Sequence, residues 1–167
     1  MSQSDAYPVL RLEGPQAISS FRRARLLHRI QDACPEAEDL RADFIHFVRC
    51  RRPLTSPERS TLDALLRYGT GDHGAPGTGT TSLAENAETA TLLVTPRIGT
   101  QSPWSSKATE IAVNCGLASI ERIERGVLWR ITGVRPEDLP AIASRLYDRM
   151  TESTHLADLE SIDPFTD

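Results

Sequence analysis

"TATLLVTPRIGTQSPWSSKATEIAVNCG", residues 89–116, decides how this chain is read. Its first nine residues are rich in Thr, Leu and Val, the composition of a strand. Ser102 then stands where a helix N-cap belongs, with Pro103 at the first helical position. Behind them, Trp104, Ala108, Ile111, Ala112 and Cys115 recur at spacings that share one helical face, and Gly116 closes the helix. A strand therefore turns directly into a helix. "ASIERIERGVLWRITG", residues 118–133, is a second, longer strand, and Gly126 within it predicts a bend or bulge. "RPEDLPAIASRLYDRM", residues 135–150, predicts a closing helix with Leu139, Ile142, Leu146 and Met150 inward.

The same order is written once before. "AYPVLRLEG", residues 6–14, is short, apolar and ended by Gly14-Pro15, a strand followed by a turn. In "AISSFRRARLLHRIQDAC", residues 17–34, Ile18, Phe21, Leu27, Ile30 and Cys34 fit one helical face, and Pro35 ends it. "DLRADFIHFVRCRR", residues 39–52, has the Phe, Ile and Val content of a strand. Thr55 and Glu58 form a capping-box pattern, Pro57 lies in the first turn, and Gly69 marks the end of the second helix. Each half reads strand, helix, strand, helix. The expected fold is α+β, a duplicated unit whose antiparallel sheets carry helices on one face. The expected organisation is a first half at 1–68, a linker at 69–88, a second half at 89–150, and an acidic connection to a downstream domain at 151–167.

Composition narrows the function classes. The chain has 167 residues, 39% hydrophobic and 25% charged, ordinary for a globular protein. Net charge is −4, so no basic balance favours nucleic acid. The acids Glu152, Asp158, Glu160, Asp163 and Asp167 crowd the last stretch, which has no Lys or Arg. Aromatic residues make up 5% and do not interleave with the basic clusters "FRRAR" and "RCRR", so stacking platforms for single strands are missing. Cys34, Cys50 and Cys115 have no paired spacing, which argues against a disulfide framework or a zinc site. No apolar leader or membrane-length run is present. A cytoplasmic protein with free thiols is expected.

Candidate chemistry is sparse. "GAPGTGTT", residues 74–81, resembles a phosphate-binding loop but has Thr80 where the lysine must be. A flexible Gly/Thr-rich linker is the better reading. His28, His46, His73 and His155 are isolated. His46 and Cys50 share one side of a strand, about 13 Å apart, too far for a nucleophile and its base. Cys115 is expected to be a packed, inert thiol. What stands out is the turn from 97 to 107. A capped helix anchored by Trp104 explains Ser102, Pro103, Trp104 and Gly116. It leaves Arg97, Thr100, Ser105, Ser106 and Lys107 unexplained, and polar turns on rigid frames commonly carry function. The helix start at 102–107 could alternatively belong to a free-standing anion- or phosphate-binding module, since unpaired amides there attract negative charge.

"LLVTPRIGTQSPWSSKATEIAVNCGL", residues 92–117, followed by "IERIERGVLWRI", resembles the N-terminal region of the large single-chain phosphoribosylformylglycinamidine synthases. Residues 95–117 match the family pattern closely, as do Arg122, Glu124, Arg125 and Gly126. Ile98 stands where many members have Pro. The likeness weakens over the first half, and the 69–88 linker is longer than usual. The resemblance implies two fused copies of a PurS-type subunit within an ATP- and glutamine-dependent ligase of purine biosynthesis. It implies partners in the synthetase and glutaminase domains of the same chain, with no nucleic acid and no membrane. ATP and magnesium are expected in the synthetase domain downstream, and no cofactor, metal ligand or catalytic residue is expected in this segment, which alone would be inactive. The interface candidates are Arg97, Thr100, Ser102, Trp104, Ser105, Ser106, Lys107, Asn114 and Arg125.

Overall fold

The computed structural model describes residues 8–68 and 88–165. Strand β1 (Leu10–Gln16) leads to helix α1 (Ser20–Gln31), β2 (Asp39–Cys50) and α2 (Ser56–Leu65). Then come β3 (Thr89–Pro96), α3 (Pro103–Asn114), β4 (Ile120–Thr132), a 3₁₀ turn at Pro136–Asp138, α4 (Leu139–Ala143) and β5 (Glu152–His155). The strand-helix order thus occurs twice, as the sequence predicts. The expected linker falls outside the described residues from 69 to 87, together with Gly69 and the loop-like motif at 74–81.

All five strands form one antiparallel sheet in the order β1-β2-β4-β3-β5. The long strands β2 and β4 lie at its centre and pair without a break from Asp39↔Thr132 to Arg49↔Arg122. Alternation along each strand sends side chains to two faces. One face carries the helices. Leu40, Leu92 and Ile131 pack there with Ile30 of α1 and Ile142 of α4. Val48 and Ile123 pack with Leu62 of α2 and Ala112 of α3. On the opposite face Ile45, Phe47, Leu93 and Leu128 are covered by Val9 and by Leu159, Ile162 and Phe165. Helices therefore sit on one side and the C-terminal segment straps the other.

Local chemistry explains several element ends. Ser19 caps α1 by accepting from the Arg22 amide, and Thr55 with Glu58 forms the expected capping box at α2. Five expectations need correction. Gly126 marks no bulge: β2 and β4 stay in register there, and the only shift along that pair lies between Arg49 and Cys50. A side chain at 126 would instead press within 2.7 Å of the Val94 carbonyl oxygen, so glycine permits close strand approach. The closing helix is short. Asp148 N–H donates to the Glu152 carboxylate and Met150 N–H to that of Asp148, and such local bonds replace helical ones with a turn. Met150 consequently faces outward at 77% exposure. On α1, Leu26 is buried while Phe21 is 71% exposed. Cys115 is the C-cap residue of α3 and is exposed, not packed. Strand β5 pairs with the β3 edge from Leu93↔His155 to Pro96↔Glu152, where the sequence reading placed only an acidic connection.

Candidate functional site

Strand β3 pairs with β4 only as far as Val94↔Val127. Past that point the edge of β4 would expose backbone groups that need partners. Helix α3 supplies them with hydroxyls. Ser105 Oγ donates to the Ile123 carbonyl, and Ile123 N–H donates to Thr109 Oγ1 at 3.0 Å. Four residues apart on a helix, Ser105 and Thr109 lie on one face. They stand in for the strand that β3 does not continue.

The turn before α3 is tied down by Glu124, which is 1% exposed. Its carboxylate accepts from Ser102 Oγ at 2.7 Å and from the Ser102 amide at 3.2 Å. It also accepts from the Arg125 amide at 3.0 Å and from Arg122 Nη2 at 3.1 Å. Arg122 reaches onward to the Thr100 carbonyl at 2.8 Å and to Ser105 Oγ at 3.2 Å. Thr100 closes the turn by donating from both its amide and its hydroxyl to the Arg97 carbonyl. Gly99 between them has φ of +80°, a conformation suited to glycine. The negative charge that the start of α3 favours is therefore supplied from within by Glu124.

Arg125 occupies the helix-bearing face beside this turn. Its guanidinium lies 4.3 Å from the ring centre of Phe44, 4.6 Å from Trp104 and 5.8 Å from Tyr68. Such stacking stabilises a partly desolvated cation. Arg125 Nη1 donates to the Tyr68 hydroxyl, which also bonds His46 Nε2 at 2.7 Å. His46 is fully buried and stacks on Trp104 at 5.8 Å. Burial, with the Arg125 charge beside it, lowers the His46 pKa to about 4, so the ring is neutral near pH 7. Burial also raises the pKa of Tyr68.

The residues singled out from sequence separate into two groups. Ser105 is 0% exposed and Ser102 half-buried, and both hydroxyls are spent inside the fold. Trp104 and Arg125 are half-buried in the aromatic cluster. Arg97, Thr100, Ser106, Lys107 and Asn114 are exposed. Lys107 meets Glu110 at 3.6 Å across open solvent, and Arg97 has no ion pair among the described residues. Sequence reasoning passed over Phe44 and Tyr68 and set His46 aside as isolated, although Phe44 and His46 alternate on one face of β2 and His46 meets Tyr68 and Trp104. It also matched Arg122 and Glu124 to a motif without seeing that they bind the turn. Among the described residues no group of His, Cys, Asp or Glu could hold a metal ion, and no helix is long and apolar enough to cross a membrane.

Residues 43–163 match the family model described as formylglycinamide ribonucleotide amidotransferase N-terminal. The chain belongs to that family. The amidotransferase N-terminal match begins inside β2 and runs through β5, so it contains most of β2, all of β4, the 95–117 motif and the Glu124 clamp. Strand β1 and helix α1 lie ahead of it.

Proposed function

We propose that this chain serves as the structural and coupling domain of the formylglycinamide ribonucleotide amidotransferase of purine biosynthesis. In this reading it is inactive alone and docks on the synthetase and glutaminase domains. They would carry the ATP and magnesium sites and the glutamine chemistry that converts formylglycinamide ribonucleotide to its amidine. The observation that supports it is the Glu124 clamp. Buried groups hold the 97–107 turn rigid, while Arg97, Thr100, Ser106 and Lys107 stand outward from it. A rigid frame presenting polar side chains lowers the ordering cost of association. Asn114 at the far end of α3 extends the same surface. An anion-binding module at the helix start is disfavoured, because the Glu124 carboxylate already meets the Ser102 amide and would repel a second anion.

Calorimetry between this chain and a polypeptide carrying the synthetase and glutaminase domains tests the docking surface. The double variant Arg97→Ala, Lys107→Ala should weaken association at least tenfold with an unchanged melting temperature. Equal affinity of variant and parent chain would overturn the assignment of those residues.

A further inference from the structure

A cavity of about 410 Å³ opens on the helix-bearing face, away from the 97–107 turn. Its volume lies in the range of small-molecule sites. Phe44, Val127 and Trp129 line it from the sheet, Arg22 from α1, and Arg145 and Tyr147 from the segment after α4. Three features of the lining point to one class of ligand. The sheet side carries two aromatic rings, Phe44 and Trp129, beside Val94 and Val127. The Trp129 side chain is 4% exposed, yet its indole N–H has no acceptor among the described residues, and a buried donor normally has one. The two arginines are uncommitted: neither makes an ion pair among the described residues, and Arg145 donates only to the Ala141 carbonyl at 3.3 Å. Arg22 is followed on α1 by Arg23, Arg25 and Arg29, with no acid in the first turn.

Asp148 and Glu152 also line the cavity and oppose an anion. Both are engaged by backbone donors, Glu152 by the Asp148 amide at 2.7 Å and Asp148 by the Met150 amide at 2.8 Å. Hydrogen bonds of this kind disperse part of a carboxylate's charge. Arg125, stacked on Phe44 from beside the cavity, adds a further positive charge.

We propose that this cavity binds a flat aromatic anion. The ring would lie against Phe44 and Trp129, an acceptor on it would take the Trp129 N–H, and a phosphate or carboxylate would be held by Arg22 and Arg145. The site uses none of the docking residues and stands apart from that reading.

Titration of the full 167-residue chain with 8-anilinonaphthalene-1-sulfonate, an aromatic anion with strong environment-dependent fluorescence, tests it. One saturable site is expected. The double variant Arg22→Gln, Arg145→Gln should weaken binding at least tenfold, and Trp129→Phe several-fold. Glu152→Gln, which removes an opposing charge and keeps the acceptor for Asp148, should tighten it. Competition with adenosine 5′-monophosphate and with indole-3-acetate distinguishes a phosphate from a carboxylate ligand, and displacement by either supports the site. Arg22 is exposed and Arg145 half-buried, and an unchanged melting temperature of the double variant confirms that it folds. An isotherm unchanged in the arginine variant, absence of saturable binding, or displacement by neither competitor overturns the proposal.

Discussion

Glu124 is a carboxylate in the interior of a strand with 1% of its surface exposed, and its cost is offset by four donors from the turn and from β4. Removing one partner of such a buried network leaves the rest unsatisfied. Glu124→Ala is expected to destabilise the chain by about 3 kcal/mol. That lowers the melting temperature by about 6–12 °C in a domain of this size. Lys107→Ala, at the solvent side of the same helix, should leave it unchanged. Thermal unfolding of the two variants checks the contrast. His46 sets a second expectation. Its folded pKa of about 4 lies below the unfolded value of 6.5, so the unfolded chain binds more protons between the two. Stability is then full above pH 6.5 and declines as pH falls toward 4, by up to about 3 kcal/mol. Burial lowers the His155 pKa as well and acts in the same direction. Melting temperatures of the parent chain and His46→Phe across that window should show a shallower slope in the variant.

At the scale of elements, β4 is fastened along one side to β2 and along the other first to β3 and then to α3. The junction depends on close approach at Gly126, where a methyl group would lie 2.7 Å from the Val94 carbonyl oxygen. Gly126→Ala should therefore push β3 away and destabilise by about 1–3 kcal/mol, measurable by denaturant unfolding. The motif helix was legible before the structure because Ser102, Pro103 and Gly116 are local signals with local causes. The hydroxyls at 105 and 109 were not, since their purpose is to satisfy Ile123, which lies 18 and 14 residues further along the chain. Alternation gave β2 and β4 their faces. It could not give β5, whose residues Glu152 to His155 are polar and become a strand only by pairing with the β3 edge. The short α4 escaped for a similar reason: Leu139, Ile142 and Leu146 are buried as the pattern predicts, but the Asp148–Glu152 turn redirects the chain before Met150.

At the scale of the molecule, one sheet joins the two strand-helix runs through its central pair, with helices on one face and the C-terminal segment on the other. The strap is fixed by side chains as well as by apolar contact. Phe165 lies 4.8 Å from the Arg49 guanidinium and 5.1 Å from that of Arg122, and Arg49 reaches Asp163 at 3.4 Å. Arg122 thus touches both the 97–107 turn and the strap, which ties the exposed motif surface to the segment that covers the opposite face. Such a frame suits a domain whose task is to hold other domains in place. Glutamine-dependent synthesis of formylglycinamidine ribonucleotide tests that account most directly, with the remaining domains of the amidotransferase supplied separately and this chain added back. The account predicts that the parent chain restores activity. It further predicts that Arg97→Ala, Lys107→Ala needs at least tenfold more protein for the same rate while melting at the same temperature. Full restoration by the variant at equal concentration, or no dependence of activity on the chain, would contradict it.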